Sequence, residues 1–197
     1  MHLVPVPAED ARTWALYSLE QGAEISQVMR SRIQAPVSAV LLAPHELDLA
    51  SLRSDGGSLL DDRSRGISRA DSEIELERVL QERQARLVVV EDDLGVREDP
   101  ALRGPRPAGF EGGLSFVGDR VIHWSERGAD PAAMVRLMRW GSSAYPLNAF
   151  VCDEKARRHL GPDQEIAPLG CVEIVESARM VIHSIYDAES FLLIEFE

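Results

Sequence analysis

Hydrophobic and polar positions alternate in two rhythms along this chain. From Ala8 to Ile33 the apolar residues recur with helical spacing: Trp14, Leu16 and Tyr17, then Ile25, Val28, Met29 and Ile33. Pro7 suits a first helical turn, and Glu9 and Asp10 complement the positive end of a helix. Gly22 divides this stretch into two helices, and Pro36 ends it. Val37 to Ala43 is a short apolar run of a length that suits a buried strand. His45 to Leu52 reads as a short helix, and Arg53 to Asp71 as a long polar loop. Ser72 to Gln84 is amphipathic, with Leu76, Val79, Leu80 and Arg83 on one side and Ser72 and Glu75 at the spacing of a capping box. Leu87 to Val90 predicts a buried strand, with Glu91, Asp92 and Asp93 at its exposed end.

The second half is richer in strand signals. Residues 95 to 113 hold five glycines and three prolines, a second long loop. Leu114 to Val117 and Arg120 to Trp124 flank Gly118-Asp119 and predict a hairpin. Asp130, with Pro131 behind it, starts a helix that Gly141 stops. Leu147 to Cys152 predicts a strand, and Asp153 a cap for a short helix ending at Gly161-Pro162. Cys171 to Val175 reads as a short strand. Arg179 to Tyr186 and Phe191 to Phe196 form the strongest hairpin signal, with Tyr186, Phe191 and Phe196 expected in the core and Glu195 outside.

These elements predict an α+β fold: a mixed or antiparallel sheet with a C-terminal β-hairpin, packed against several amphipathic helices. A single domain over residues 1–197 is expected, with long loops near 53–71 and 95–113. Neither flank of those loops alone has both helices and enough sheet for a core.

Charge sharpens the picture. The formal net charge is −12, and between Asp163 and Glu197 eight carboxylates face a single Arg179. An acidic apolar segment predicts a sheet with a negative outer face, which repels nucleic acid and anionic lipid and suits a basic partner. Twenty of the 21 basic residues are Arg, which reads as a coding bias. Any Schiff-base lysine would have to be Lys155, in an exposed helical start without the desolvation that such chemistry needs. Cys152 and Cys171 are too few for a disulfide framework and lack CxxC spacing, so buried free thiols are expected. No secretory signal and no membrane-length apolar run is visible. A cytoplasmic location is the expectation.

No motif assigns a reaction. Gly141 and Ser143 share part of the G-x-S-x-G nucleophile pattern, but Tyr145 replaces the last glycine and the expected order is helix, loop, strand. The five histidines, His2, His45, His123, His159 and His183, include no i, i+4 pair and no HExxH. His123 and His183 both fall in expected strands, where a shared zinc or general-base site would need them to converge. A hydrogen-bonded core imidazole is the simpler expectation for His183. Asp92, Asp93, Glu98 and Asp99 crowd a strand end without EF-hand spacing. The glycines from Gly104 to Gly118 match neither dinucleotide nor P-loop patterns.

The expectation is therefore a non-catalytic acidic binding protein, an intracellular inhibitor of immunity or antitoxin type that neutralises a basic toxin or enzyme. Asp92, Asp93, Glu98, Asp99, Glu195 and Glu197 are its candidate contact residues. No cofactor, metal, nucleic acid or membrane is expected. Two other readings stand beside it. One is an enzyme using His123, His183 and the acidic loop residues. The other is a regulatory or structural homo-oligomer, a homo-dimer paired through the C-terminal hairpin at a sheet edge.

Overall fold

Nine strands join in one sheet in a computed structural model that describes residues 2–43, 69–96, 112–125, 148–185 and 190–197. In chain order the elements are β1 (His2–Val6), α1 (Ala8–Glu20), α2 (Glu24–Arg32), β2 (Val37–Ala43), α3 (Arg69–Glu82), β3 (Leu87–Val96), β4 (Gly113–Val117) and β5 (Arg120–Ser125). Then come β6 (Asn148–Cys152), a 3-10 helix (Glu154–His159), β7 (Gln164–Glu165), α4 (Pro168–Ser177), β8 (Ala178–Ile185) and β9 (Ser190–Phe196). The strand order is β1-β2-β9-β8-β6-β3-β5-β4-β7, antiparallel except where β7 runs parallel to β4. This is the expected α+β class, with the expected hairpin β8–β9.

Register explains the two-sided core. Because side chains alternate across a strand, one row of paired residues lies on one face. Trp124, Val89, Phe150, Val181, Ile194, Ala39 and Val6 are successive partners across seven strands. All seven pack in the cluster that holds α1, α2, α4 and the 3-10 helix. The neighbouring residues Val90, Ala149, Ile182 and Leu193 form the opposite row, covered by Leu76, Val79 and Leu80 of α3. Phe191, Leu192, Leu193 and Ile194 are therefore all buried, as a strand covered on both faces requires.

That arrangement corrects the place of the hairpin. β9 lies between β2 and β8, and β8 lies between β9 and β6, so neither is an edge. Among the described residues the edges are β1 and the two-residue β7. Among the described residues the C-terminal carboxylates are not gathered on one sheet face: Glu195 reaches Arg83 at 2.6 Å, and Glu173 and Glu176 lie on α4 beside Arg158 and Arg32.

Several boundaries move. The stretch Cys171 to Val175 is helical, not a strand: Pro168 occupies the first turn of α4, and Gly170, Cys171, Ile174 and Val175 are buried at helical spacing. Helix α3 starts at Arg69, so Ser72 is inside it, and Glu75 pairs with Arg78 rather than closing a capping box. Asp153 makes no side-chain cap and instead binds Arg179 at 2.8 Å. The break at Gly22, the strands β2 and β6 and the hairpin β4–β5 follow the pattern. The expected helices at His45 to Leu52 and Asp130 to Gly141, most of both loops, and Tyr186 lie outside the described residues. Among the described residues no helix is long and apolar enough to cross a membrane.

Candidate functional site

The polar residues that break the apolar rows gather at one place. On the face covered by α1 and α2, Glu91 stands two positions beyond Val89 on β3. Asn148 stands two positions before Phe150 on β6, and His183 is paired with Asn148 across to β8. Glu91 and His183 are each 2% exposed, and Asn148 is as deeply buried. Burial of this kind is costly unless each group is bonded.

Helix α2 supplies the donors. Its N-cap position is Ala23, which has no side chain able to cap. The first free N–H groups of the helix are instead taken by Glu91. Its Oε1 accepts from the backbone N–H of Ile25 and, at 3.0 Å, from that of Ser26; its Oε2 accepts from the Ser26 hydroxyl. A carboxylate from the sheet thus does what an N-terminal Asp or Ser does locally, at the positive end of the helix. Asn148 Nδ2 donates to Ser26 Oγ at 2.8 Å and to the Ser18 carbonyl of α1 at 3.4 Å. His183 Nδ1 lies 2.7 Å from Asn148 Oδ1.

Direction follows from chemistry. An amide oxygen only accepts, so His183 donates from Nδ1 and is the Nδ1–H tautomer. The donors then run one way, from His183 to Asn148 to Ser26 to the Glu91 carboxylate. Burial pushes His183 down to about 4, so the ring is neutral. Gly22 lets the α1–α2 turn approach: a Cβ there would lie 2.1 Å from Ser26 Oγ and 2.5 Å from Asn148 Nδ2.

Cys171 of α4 borders this cluster. Its thiol is pushed up to about 11, first by burial and then by the Glu91 and Glu24 carboxylates. Cys152 is pushed up to about 12 by burial, with its Sγ directed at the Phe150 and Ile174 carbonyls. Neither thiol has the lowered acidity threshold of a nucleophile.

The expected site residues separate. His123 is paired with Val90 and so lies on the α3 face, whereas His183 lies on the α1–α2 face. The two histidines do not converge. Asp92 and Asp93 lie in β3, Asp92 in register with Val121 just before a bulge. Glu195 and Glu197 are at the opposite ends of the strands, where β9 meets Val37. Glu98, Asp99 and Ser143 lie outside the described residues. Among the described residues, no group of three or more His, Cys, Asp or Glu side chains is placed to hold a metal ion. Glu91 was expected at an exposed strand end. One available signal was the helix start at Glu24, which has no capping residue at Ala23 and so needs a partner from elsewhere.

A second feature is open to solvent. A groove of about 860 Å³ runs between the C-terminal ends of α2, α4 and β9. Met29, Ile33, Val175, Ala178 and Phe196 make its apolar floor, and Arg32, Glu176, Arg179 and Glu197 its charged rim. Arg32 pairs with Glu176 and Arg179 with Asp153. Among the described residues, no ion pair engages Glu197.

Comparison with protein-family models, curated proteins and solved structures finds no match.

Proposed function

We propose that the protein is a non-catalytic binding protein that neutralises a basic protein partner by direct contact, in the manner of an immunity protein or antitoxin. The net charge of −12 carries this reading. A strongly acidic protein attracts a basic partner at long range and raises its association rate. The groove supports it at short range: an apolar floor suits a partner's aliphatic or aromatic anchor, and Glu197 on its rim suits an Arg or Lys beside that anchor. The carboxylates Asp92, Asp93, Glu98 and Asp99, close together in sequence, add to the steering field.

The test is capture of partners from a host lysate on the tagged protein at low and moderate salt. One stoichiometric basic protein, lost as salt rises, is the expected result. Reversal of Glu197 to Lys, and of Asp92, Asp93, Glu98 and Asp99 as a set, should weaken capture and flatten its salt dependence. Absence of a basic partner at both salts would overturn the reading.

The catalytic alternative rests on one observation, the buried chain ending at Glu91. It places His183 alone at the centre, since His123 is on the other face. Activity lost on His183→Gln but retained in His123→Ala would favour it.

A further inference from the structure

Helix α2 has an unusual set of attachments. It packs chiefly against α1 and α4, and its polar ties to the sheet run through its first turn: Ile25 and Ser26 to Glu91, and Ser26 to Asn148. Its other ion pairs, Arg30 with Glu20 and Arg32 with Glu176, join it to α1 and α4 and are well exposed to solvent. Exposed pairs of this kind hold little. Its nine residues bury two apolar side chains, Ile25 and Met29, with Val28 half-buried against the same core and Ile33 buried just past its end. The carboxylate of Glu91 is thus the strong polar tie, because hydrogen bonds to a charged group exceed neutral ones.

Helix α4, which packs against α2, carries Cys171. This cysteine is 3% exposed, belongs to the same core cluster as Ile25 and Met29, and lies near enough to Glu24 of α2 and Glu91 of β3 for both carboxylates to act on its thiol. Cys152 belongs to the sheet itself, on β6 between Phe150 and α4. The two thiols therefore report on different parts of the molecule.

We propose that α2 is a lid over Cys171, latched to the sheet by Glu91, and that it opens as one unit while the sheet stays folded. Local opening of a short, weakly anchored element at lower free energy than global unfolding is a general property of folded proteins. Here the latch is one carboxylate, and what the opening bares is a thiol and the apolar side chains of Ile25 and Met29.

Thiol exchange tests this on the full chain, with 4,4′-dithiodipyridine as the probe and each cysteine read separately in Cys152→Ala and Cys171→Ala backgrounds. The expected result is that Cys171 reacts well ahead of Cys152, at conditions where the sheet is folded by circular dichroism. Glu91→Gln keeps the shape but loses the charge, and should speed Cys171 by about tenfold or more while leaving Cys152 unchanged. If Glu91→Gln fails to fold, Ser26→Ala removes one bond of the latch and should shift Cys171 in the same direction. Equal rates for the two thiols in the wild-type chain, matching global unfolding, would overturn the lid. A Cys171 rate unmoved by the latch variants would overturn the role of Glu91.

Discussion

His183 sits neutral in the core because its surroundings give no return for a charge. Its folded pKa is lowered to about 4 by burial, against an unfolded value near 6.5. Between those values the unfolded chain binds the proton and the folded one does not. The stability this histidine contributes is therefore complete above about pH 6.5 and is lost as pH falls toward about 4. The shift corresponds to about 3 kcal/mol. His183→Gln can still donate to Asn148 but does not titrate. Urea titrations across this window should show the variant losing about 3 kcal/mol less than the wild type on acidification. Parallel curves would mean that the His183 ring is solvated. Glu173 at the surface has the same sign: Arg158 first and His159 second hold its carboxyl below the usual range, so its contribution is also lost on acidification, but solvent screens the pair and it adds little.

At the scale of elements, the hairpin β4–β5 shows how one close approach orders a sheet end. Trp124 lies flat across Gly113, its Nε1 donates to Ser115 Oγ at 3.0 Å, and Ser115 in turn donates to the Gly161 carbonyl at 2.9 Å. The Arg157 guanidinium lies over the indole, 4.6 Å from its centre. A Cβ at Gly113 would stand 2.0 Å from the Trp124 ring. Gly113→Ala should therefore cost about 1–3 kcal/mol by urea denaturation, through a displaced indole, and an unchanged midpoint would count against this packing. Elements of this kind were readable where their signals are local. Gly118-Asp119 between two apolar runs marks a hairpin, and the uninterrupted Leu87 to Val90 marks a strand buried on both faces. Cys171 to Val175 misled because five apolar or acidic residues fit a strand as well as one helical turn and a half; Pro168 was the discriminating neighbour. Glu91 misled for a deeper reason. An acidic residue after an apolar strand normally meets water, and nothing within that segment announces a helix start more than 60 residues earlier. The same limit hid the separation of His123 and His183, because a face is decided by register and not by strand content.

For the whole molecule, closure of the sheet is set by its ends and its middle. β1 is an edge with Pro5 in register with Val40, and a proline in an edge strand removes a donor that a second chain would use. The far edge, β7, has two residues. Pro5→Thr restores the donor and should make the protein associate with rising concentration in sedimentation; sedimentation unchanged from that of the wild type would show that the proline is not what guards this edge. The middle has a different consequence, in time. β2 is made early, yet its neighbour on the inner side is β9, roughly 150 residues later. At about 5–20 residues per second, a ribosome takes on the order of 10–30 s to deliver that strand. Until then β2 can pair only with β1 in the sheet, and Leu42, on the face that α1 does not cover, lacks its partner Phe191. Such long-range pairing also slows folding after release. The nascent chain, rather than the finished protein, is thus the form most in need of a chaperone.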